Sequence, residues 1–442
     1  MLLIGNGQVV TRDASQPFLP HGGVLMEGQK IIAVAAAENL RQQYPQAEYI
    51  DARGGLIMPG LINAHHHIYS AFARGLSIRG NNPTNFLEIL DGTWWHLDRT
   101  LTLEDVYASA LVTYLDCIKN GVTTVFDHHA GYGAVTGSLF RIAQAAEELG
   151  VRTCLCYEVS DRDGVDKMHE AVRENRAFIE AVQAEPSDMK KAMMGMHASF
   201  TLSDKTLELC RENMPSGIGC HIHVAEGMAD VQQTLQKHHK RILHRLFDFD
   251  LLGPQTLTGH CIHINEAEMD LLRDTQTMVV HNPESNMGNA VGCPPALRMM
   301  QKGILVGLGT DGYTSDMLES YKVGNLLHKH SLCDPTVAWA ELPQMLFENN
   351  ARIASRYFAA PLGVLRKGAA ADLIVLDYVP YTPMDETNCN AHILFGTNGR
   401  SVTTTVIGGR VLMRDRVLAA DEARILAKAR EQSAAMWRRI NG

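Results

Sequence analysis

Eight short apolar runs recur between roughly residues 56 and 361, and a stretch with helical periodicity follows each. The runs are LIMPGLINAH, TTVFDHH, RTCLCYEV, KAMMGMHAS, IGCHIHVA, TLTGHCIHI, TMVVHN and ILVGLGTD. They are largely continuous rather than strictly alternating, which is the pattern of strands buried on both faces. The intervening segments, among them SLFRIAQAAEELG, NEAEMDLLRDT and SDMLESYKVGNLLHKH, are long enough to return the chain for parallel pairing. Eight such units predict an α/β fold, a (β/α)8 TIM-like barrel over residues 56–361, with working residues at the C-terminal ends of the strands.

The flanks have a different period. Residues 1–55 (LLIGNGQVV, GGVLMEGQKIIAVA) and the stretch from 362 (ADLIVLD, TTTVIGGRVLMRDRVL) read as short strands separated by glycine-containing turns. Together they predict a small β-sandwich domain built from both ends of the chain, residues 1–55 and 362–442. The tail DEARILAKAREQSAAMWRRI places Leu426, Ala429, Ser433, Trp437 and Ile440 at helical spacing, so a terminal helix docked on its own subunit is expected.

A chain of 442 residues is long enough for one large domain and one smaller one. With 45% hydrophobic and 20% charged residues its balance is that of an ordinary globular protein, and the net charge of −9 offers no basic footprint for nucleic acid or anionic lipid. No apolar run is long enough to span a membrane, and the opening MLLIGNGQVVTRD lacks the features of a signal peptide. Nine scattered cysteines argue against a disulfide framework. A cytoplasmic protein without nucleic-acid or membrane partners is the expectation.

The candidate chemistry lies at the ends of the runs. His65 and His67 are two apart, so an extended strand points both the same way and His66 the other. In HIHVAE, His221 and His223 share a face; His223 is the better candidate because Glu226 follows three residues on, where the strand leaves the barrel. His260 competes with His263 in GHCIHI and is preferred as nearer the strand. Asp311 ends the last run, between glycines that permit close backbone approach. Neutral imidazoles with one carboxylate suit one divalent metal ion, Zn²⁺ best and Fe²⁺ as the alternative. A further carboxylate and imidazole remain to handle protons. The polar patch KHHKRILH reads as a solvated helix face.

These residues resemble the amidohydrolase superfamily, and within it the ATZ/TRZ-like aminohydrolases. The shared motifs are PG-L-x-N-x-H-x-H (59–67), H-x-x-E (223–226), G-H-C (259–261), N-P-x-S-N (282–286), G-T-D-G (309–312) and the late G-x4-G-A-x-A-D-L-I-V-L-D segment (363–377). Jointly they span nearly the whole chain. The resemblance implies a mononuclear site with His65, His67, His223 and Asp311 on the metal and Glu226, His260 and Asp311 as catalytic groups. No bridging lysine is evident, since Lys190 and Lys191 stand at the start of the fourth run. His197 matches the place where deaminase relatives touch substrate. Homo-oligomers, dimers or tetramers, are common in the family.

The activity so implied is hydrolytic deamination of a small-molecule heterocycle, an aminated purine-like ring such as guanine or an analogue, with release of ammonia. Ring opening of a cyclic amide or amidine and hydrolytic dehalogenation are the alternatives on the same scaffold; a non-catalytic barrel is a third. A planar substrate would need edge hydrogen bonds and an aromatic wall, for which Arg74, Trp94, Trp95, His128, His197 and Asn286 are the candidates. Two features depart from the family pattern: the third histidine in HHH, and the loop GLSIRGNNPTNFLEILDGTWW, which differs from that of guanine deaminases.

Overall fold

The computed structural model describes residues 1–442. The first flank supplies strands β1 (Leu2–Val10), β2 (Phe18–Glu27), β3 (Lys30–Ala36), β4 (Glu48–Asp51) and β5 (Leu56–Pro59). The middle supplies β6 (Leu61–His66), β7 (Val122–His129), β8 (Arg152–Tyr157), β9 (Lys190–Ala192), β10 (Met194–Ala198), β11 (Cys220–Val224), β12 (Leu257–His260), β13 (Met278–His281) and β14 (Val306–Leu308). The second flank adds β15 (Leu373–Leu376), β16 (Val402–Ile407), β17 (Arg410–Arg414) and β18 (Val417–Leu418).

The middle strands pair in parallel in two sets, β6-β7-β8-β9 and β10-β11-β12-β13-β14. The fourth apolar run belongs to both sets, because it changes neighbour at Met193: Met193 N donates to Leu155 O on one side and Met194 N to Gly219 O on the other. Parallel bridges join the remaining seams, Val159 to Met196 and His66 to Asp311. Asn350 closes the second seam from a neighbouring helix. Its Nδ2 donates to Ile62 O (2.7 Å) and Leu308 O (2.8 Å), and its Oδ1 accepts from Leu308 N (2.8 Å). Helices cover the outer face, with local chemistry setting where they begin. Helix Leu103–Lys119 starts at a reciprocal cap in which Thr102 and Asp105 satisfy each other's backbone N–H.

The first parallel strand begins at Leu61, not at 56. The break falls at Gly60, where a Cβ would lie 2.2 Å from the Thr123 side chain, and Leu56–Pro59 turns instead into the flanking sheet. There β5 lies between β1 and β15, so the two ends of the chain form one nine-stranded sheet. The sheet forks at β1, which pairs with β4 through Leu2–Gly5 and with β5 through Gln8–Val9. Its core contains Ile4, Val24, Ile57, Leu373 and Val406. The terminal helix, Glu422–Asn441, packs on its own chain with Ile425, Ala429, Met436 and Ile440 inward, a face rotated slightly from the predicted one. Trp437 Nε1 anchors it by donating to Phe72 O at 2.7 Å. No helix is long and apolar enough to cross a membrane.

One buried ion pair ties the flanking sheet to the parallel strands. The Arg152 guanidinium at the start of β8 forks onto Asp372, with Nη2 3.0 Å from Oδ2 and both side chains 3% exposed. Asp372 Oδ1 also accepts from Gly408 N at 2.7 Å. Removing one member strands a buried charge. Asp372→Ala should lower unfolding stability by about 3–5 kcal/mol, read as a fall in the denaturant midpoint. Adding Arg152→Met to that variant should recover part of the loss, because no orphan charge then remains.

Candidate metal centre

The C-terminal ends of the parallel strands gather six of the predicted residues around one point. Strand β6 delivers His65 and the residue after its end, His67, on the inner side, while His66 turns outward towards Ser315 (3.4 Å). Strand β11 delivers His223, β12 delivers His260, and Asp311 follows β14. Asp311 reaches its place because Thr310 N and Asp311 N both donate to His65 O, at 3.1 and 3.0 Å. Gly309 is required there, since a Cβ would come within 2.9 Å of that same carbonyl. The chain turns sharply as it leaves the strands: Ala225, His260, Cys261 and Asp311 all have positive φ, between 48° and 67°. Such backbone is costly for residues other than glycine and is characteristic of functional sites.

The outer nitrogen of each imidazole is already engaged. His67 Nδ1 donates to His128 O (2.6 Å) and His223 Nδ1 to His197 O (2.9 Å). A carbonyl only accepts, so in the neutral rings Nδ1 carries the hydrogen and Nε2 a bare lone pair. His65 Nδ1 contacts His221 Nε2 at 2.8 Å, and His260 Nδ1 contacts Asn286 Oδ1 at 2.8 Å. The inner nitrogens therefore face one another across a buried space. His67 Nε2 lies 3.2 Å from His223 Nε2 and 3.0 Å from Asp311 Oδ1, and His65 Nε2 lies 3.9 Å from the same oxygen. His65 Nε2 and His260 Nε2 are buried without a hydrogen-bond partner.

This donor set fits a divalent cation. His65, His67 and His223 offer ligand atoms all within 4.8 Å of one another, as do His65, His260 and Asp311. Burial and the neighbouring imidazoles hold His65 and His223 well below the usual histidine range, so both rings are neutral. Burial acts the same way on His67, but the Asp311 carboxylate raises it to about 9. In the absence of a cation a proton on His67 thus occupies the space between nitrogen and carboxylate that a metal would fill. Lys190 and Lys191 lie at the far end of the strands, with Lys191 3.6 Å from Asp188, so neither reaches the centre.

His260 and Glu226 stand beside this cluster. His260 Nε2 is 3.6 Å from Glu226 Oε2 and 3.5 Å from Asp311 Oδ2. Asn289 Nδ2 donates to Glu226 Oε1 at 3.2 Å, and Ser285 Oγ donates to Asp311 Oδ2 at 2.6 Å. Burial raises Glu226 above the usual glutamate range, against the opposing effect of His260. A carboxyl group so placed can hold a proton and release it to a ligand.

The cluster opens into a cleft of about 540 Å³ including its mouth, and Trp94, Trp95, Phe86 and Leu90 supply an apolar wall. These four come from the loop that differs from guanine deaminases, folded here as consecutive short helical segments Phe86–Ile89, Leu90–Trp94 and Trp95–Thr100. Trp95 meets the His197 ring edge-on, 5.8 Å between centroids. His197, Trp94 and Trp95 thus line the cleft as expected.

Three of the expected substrate contacts do not reach it. Arg74 is exposed and pairs with Asp116 at 3.3 Å on the surface; its position just beyond the 3-10 turn Ile68–Ala73 carries it away from the cleft. His128 is fully buried behind the cluster, its Nε2 towards Met196 O (3.0 Å) and His221 O (3.2 Å). Asn286 is buried on the first turn after β13, where its amide holds His260 instead of facing a ligand.

Among the cleft residues that escaped the sequence reading are Tyr69, Ser285, Asn289 and Glu158. Ser285 stands in the N-P-x-S-N motif, and Glu158 had a signal of its own, a carboxylate at the end of the third run just as Asp311 ends the eighth. Burial works against its charge, but His197, His128 and Arg162 hold the carboxyl well below the usual range.

Residues 56–412 match the amidohydrolase family. A 5′-deoxyadenosine deaminase of Methanosarcina mazei is 30% identical over 447 residues, covering 100% of this chain and 99% of the relative. A 5-methylthioadenosine/S-adenosylhomocysteine deaminase of Thermococcus sibiricus is 31% identical over 417 residues, covering 93% and 94%. The structure of an adenosine deaminase from Xanthomonas campestris with bound zinc superposes with a TM-score of 0.85 at 21% identity, covering 98% of each chain.

A cation that binds the folded centre and not the unfolded chain stabilises the fold by mass action. Adding Zn²⁺ to chelator-stripped protein should raise the thermal midpoint by several degrees. His67→Ala should abolish that rise, as read by scanning calorimetry.

Proposed function

The chain belongs to the amidohydrolase family, and on that basis we propose that it is a metal-dependent hydrolytic deaminase of an aminated purine-like heterocycle. In this reading His65, His67, His223 and Asp311 hold one divalent cation, Zn²⁺ by the chemistry of the donors and by likeness to the zinc-bound neighbour. In the same reading the ring of parallel strands is the (β/α)8 barrel, and residues 1–55 and 362–442, together with β5, form the second domain, whose forked sheet stands in the place of the sandwich. The single observation that carries the activity is the placement of Glu226 and Asp311 on either side of His260 Nε2, at 3.6 and 3.5 Å, within the lined cleft.

What a bound divalent cation would supply is a water acidified towards neutrality and positive charge beside the developing negative oxygen. The chain's own groups do the remainder. Asp311 accepts a proton from the attacking water at Oδ2, the oxygen that Ser285 orients. Glu226 delivers a proton to the ring nitrogen next to the amino-bearing carbon, so that charge does not accumulate there as the carbon becomes tetrahedral. His260 is fixed by Asn286 with Nε2 towards both acids, and with a proton at Nε2 it steadies the developing negative oxygen. Collapse breaks the C–N bond, protons held by these acids pass to the leaving nitrogen, and ammonia departs as the carbonyl forms. The Trp94 and Trp95 wall keeps a planar ring in place and excludes bulk water.

The names of the relatives support deamination of an amino-substituted purine; they do not select guanine. Ammonia release measured over a panel of aminopurines, pterins and triazines tests the reading, and release from none of them would overturn it. Glu226→Gln should retain the metal by elemental analysis while losing roughly 10²–10⁴-fold in kcat. Unchanged turnover in that variant would remove Glu226 from the chemistry.

A further inference from the structure

Glu158 is the one charged group in the cleft that the proposed chemistry leaves unused. It follows β8 and is 3% exposed. Its neighbours only partly satisfy it: Oε2 lies 3.4 Å from His128 Nδ1 and Oε1 3.6 Å from Arg162 Nη2. Both contacts are longer than a charge-assisted hydrogen bond. Arg162 is engaged more closely elsewhere, by Asp98, and its guanidinium packs over the Tyr132 ring at 4.3 Å. A buried carboxylate with acceptor capacity left over faces a ligand cavity, and such an acceptor requires a donor.

The position of Glu158 says what kind of donor. Its ligating oxygen lies within 4.8 Å of nitrogens of both His128 and His223. It therefore stands beside the ring being attacked and not a sugar's length away from it. Glu226 serves the same ring from the end of β11, two strands further round. Both acids line the same cleft, so a ring held between them would present one flank to each. Glu226 gives a proton to a ring nitrogen that must arrive bare; Glu158 can only accept.

Resting on the deaminase reading above, we propose that Glu158 is a specificity-determining residue that accepts a hydrogen bond from a ring N–H adjacent to the amino-bearing carbon. The substrate class that follows is a heterocycle carrying the cyclic unit N–H, C–NH2, C=N, as in 2-amino-4-oxo pyrimidine rings and the purines and pterins that contain them. A 6-aminopurine nucleoside has carbon instead of N–H on that flank and leaves the acceptor unfilled. The reaction itself is unaltered: the C–NH2 bond breaks, a C–O bond forms from water, and ammonia leaves with no change of oxidation state.

Binding of unreactive product-type rings to the zinc-replete protein tests this apart from turnover. By isothermal titration, wild type should bind xanthine about 10- to 100-fold more tightly than 1-methylxanthine, in which the N–H is blocked. In Glu158→Ala, which loses the acceptor and makes room for the methyl group, that preference should fall to within about threefold. Glu158→Gln, of the same shape without the charge, should lie between. Equal binding of the two rings by wild type, no binding of either, or an unchanged preference in Glu158→Ala overturns the assignment. So does a second equivalent of metal that disappears in Glu158→Gln, since His128, Glu158 and His223 would then be a cation site. If the preference behaves as expected but no panel member releases ammonia, the deaminase reading fails while Glu158 keeps its role. Turnover of rings without the N–H, unaffected at Glu158, would do the reverse.

Discussion

Lone pairs on buried nitrogens repel one another, and the interior of this protein is organised around that repulsion. His67 and His223 cannot turn their Nε2 atoms away, because the opposite nitrogen of each ring is tied to a main-chain carbonyl at the end of a parallel strand. His65 is backed instead by a side chain of β11, its Nδ1 2.8 Å from His221 Nε2. Each tether is a property of the strands, so the inner nitrogens converge as a consequence of strand register. A proton on His67, held by Asp311 against the effect of burial, relieves one contact. A divalent cation relieves all of them together. The centre is thus preorganised in the sense that matters for metal binding, with donors oriented before the ion arrives and outer partners fixing which nitrogen is free.

The main features of this arrangement were legible in the chain. A metal ligand set needs residue types that are rare in strand interiors, and placing them at the ends of apolar runs leaves a visible mark: H-x-H, H-x-x-E and T-D-G are each preceded by a continuous hydrophobic segment. Period also distinguished the flanks from the middle. The errors share one cause. Arg74, His128 and Asn286 were chosen for residue type near a motif, whereas cleft exposure depends on side-chain direction at sharp turns. His128 and His129 are neighbours on one strand, and no local signal says that His128 lies behind the metal ligands. Asn286 supports His260 across 26 residues of sequence. The boundary at Leu61 was hidden because β5 and β6 are one apolar run split only at Gly60, whose need for glycine arises from Thr123, far along the chain.

The outer layer carries much of the cost of the site. His65, His128, His221, His260, Asp127 and Glu158 are almost completely buried, and polar groups taken from water destabilise unless they find partners. Most of them do: Asp127 accepts from Ile68 N at 2.7 Å just beyond the HHH segment, and Asp230 accepts from Ala225 N and Phe200 N, bracing the turn before Glu226. These bonds stabilise turns whose backbone is itself strained. At the centre itself, His65 Nε2 and His260 Nε2 are left without a partner, on the side where a cation or substrate belongs.

Shared chemistry and divergent substrates also have a structural explanation here. The ligands and the acids Glu226 and Asp311 depend on strands β6, β11 and β14, whose pairings leave little freedom to vary. The cleft wall depends on residues 86–95, a string of short helical segments that contributes side chains and no strand pairing. Replacing Trp94 or Trp95 changes the shape presented to a ring without moving a ligand to the metal. Glu158 falls between these regimes: its backbone is held by a bond from its N–H to His129 O at 2.8 Å, yet its carboxylate contributes nothing to strand pairing. A residue fixed in position but free in chemistry is where selection between substrates can act at small cost to the fold.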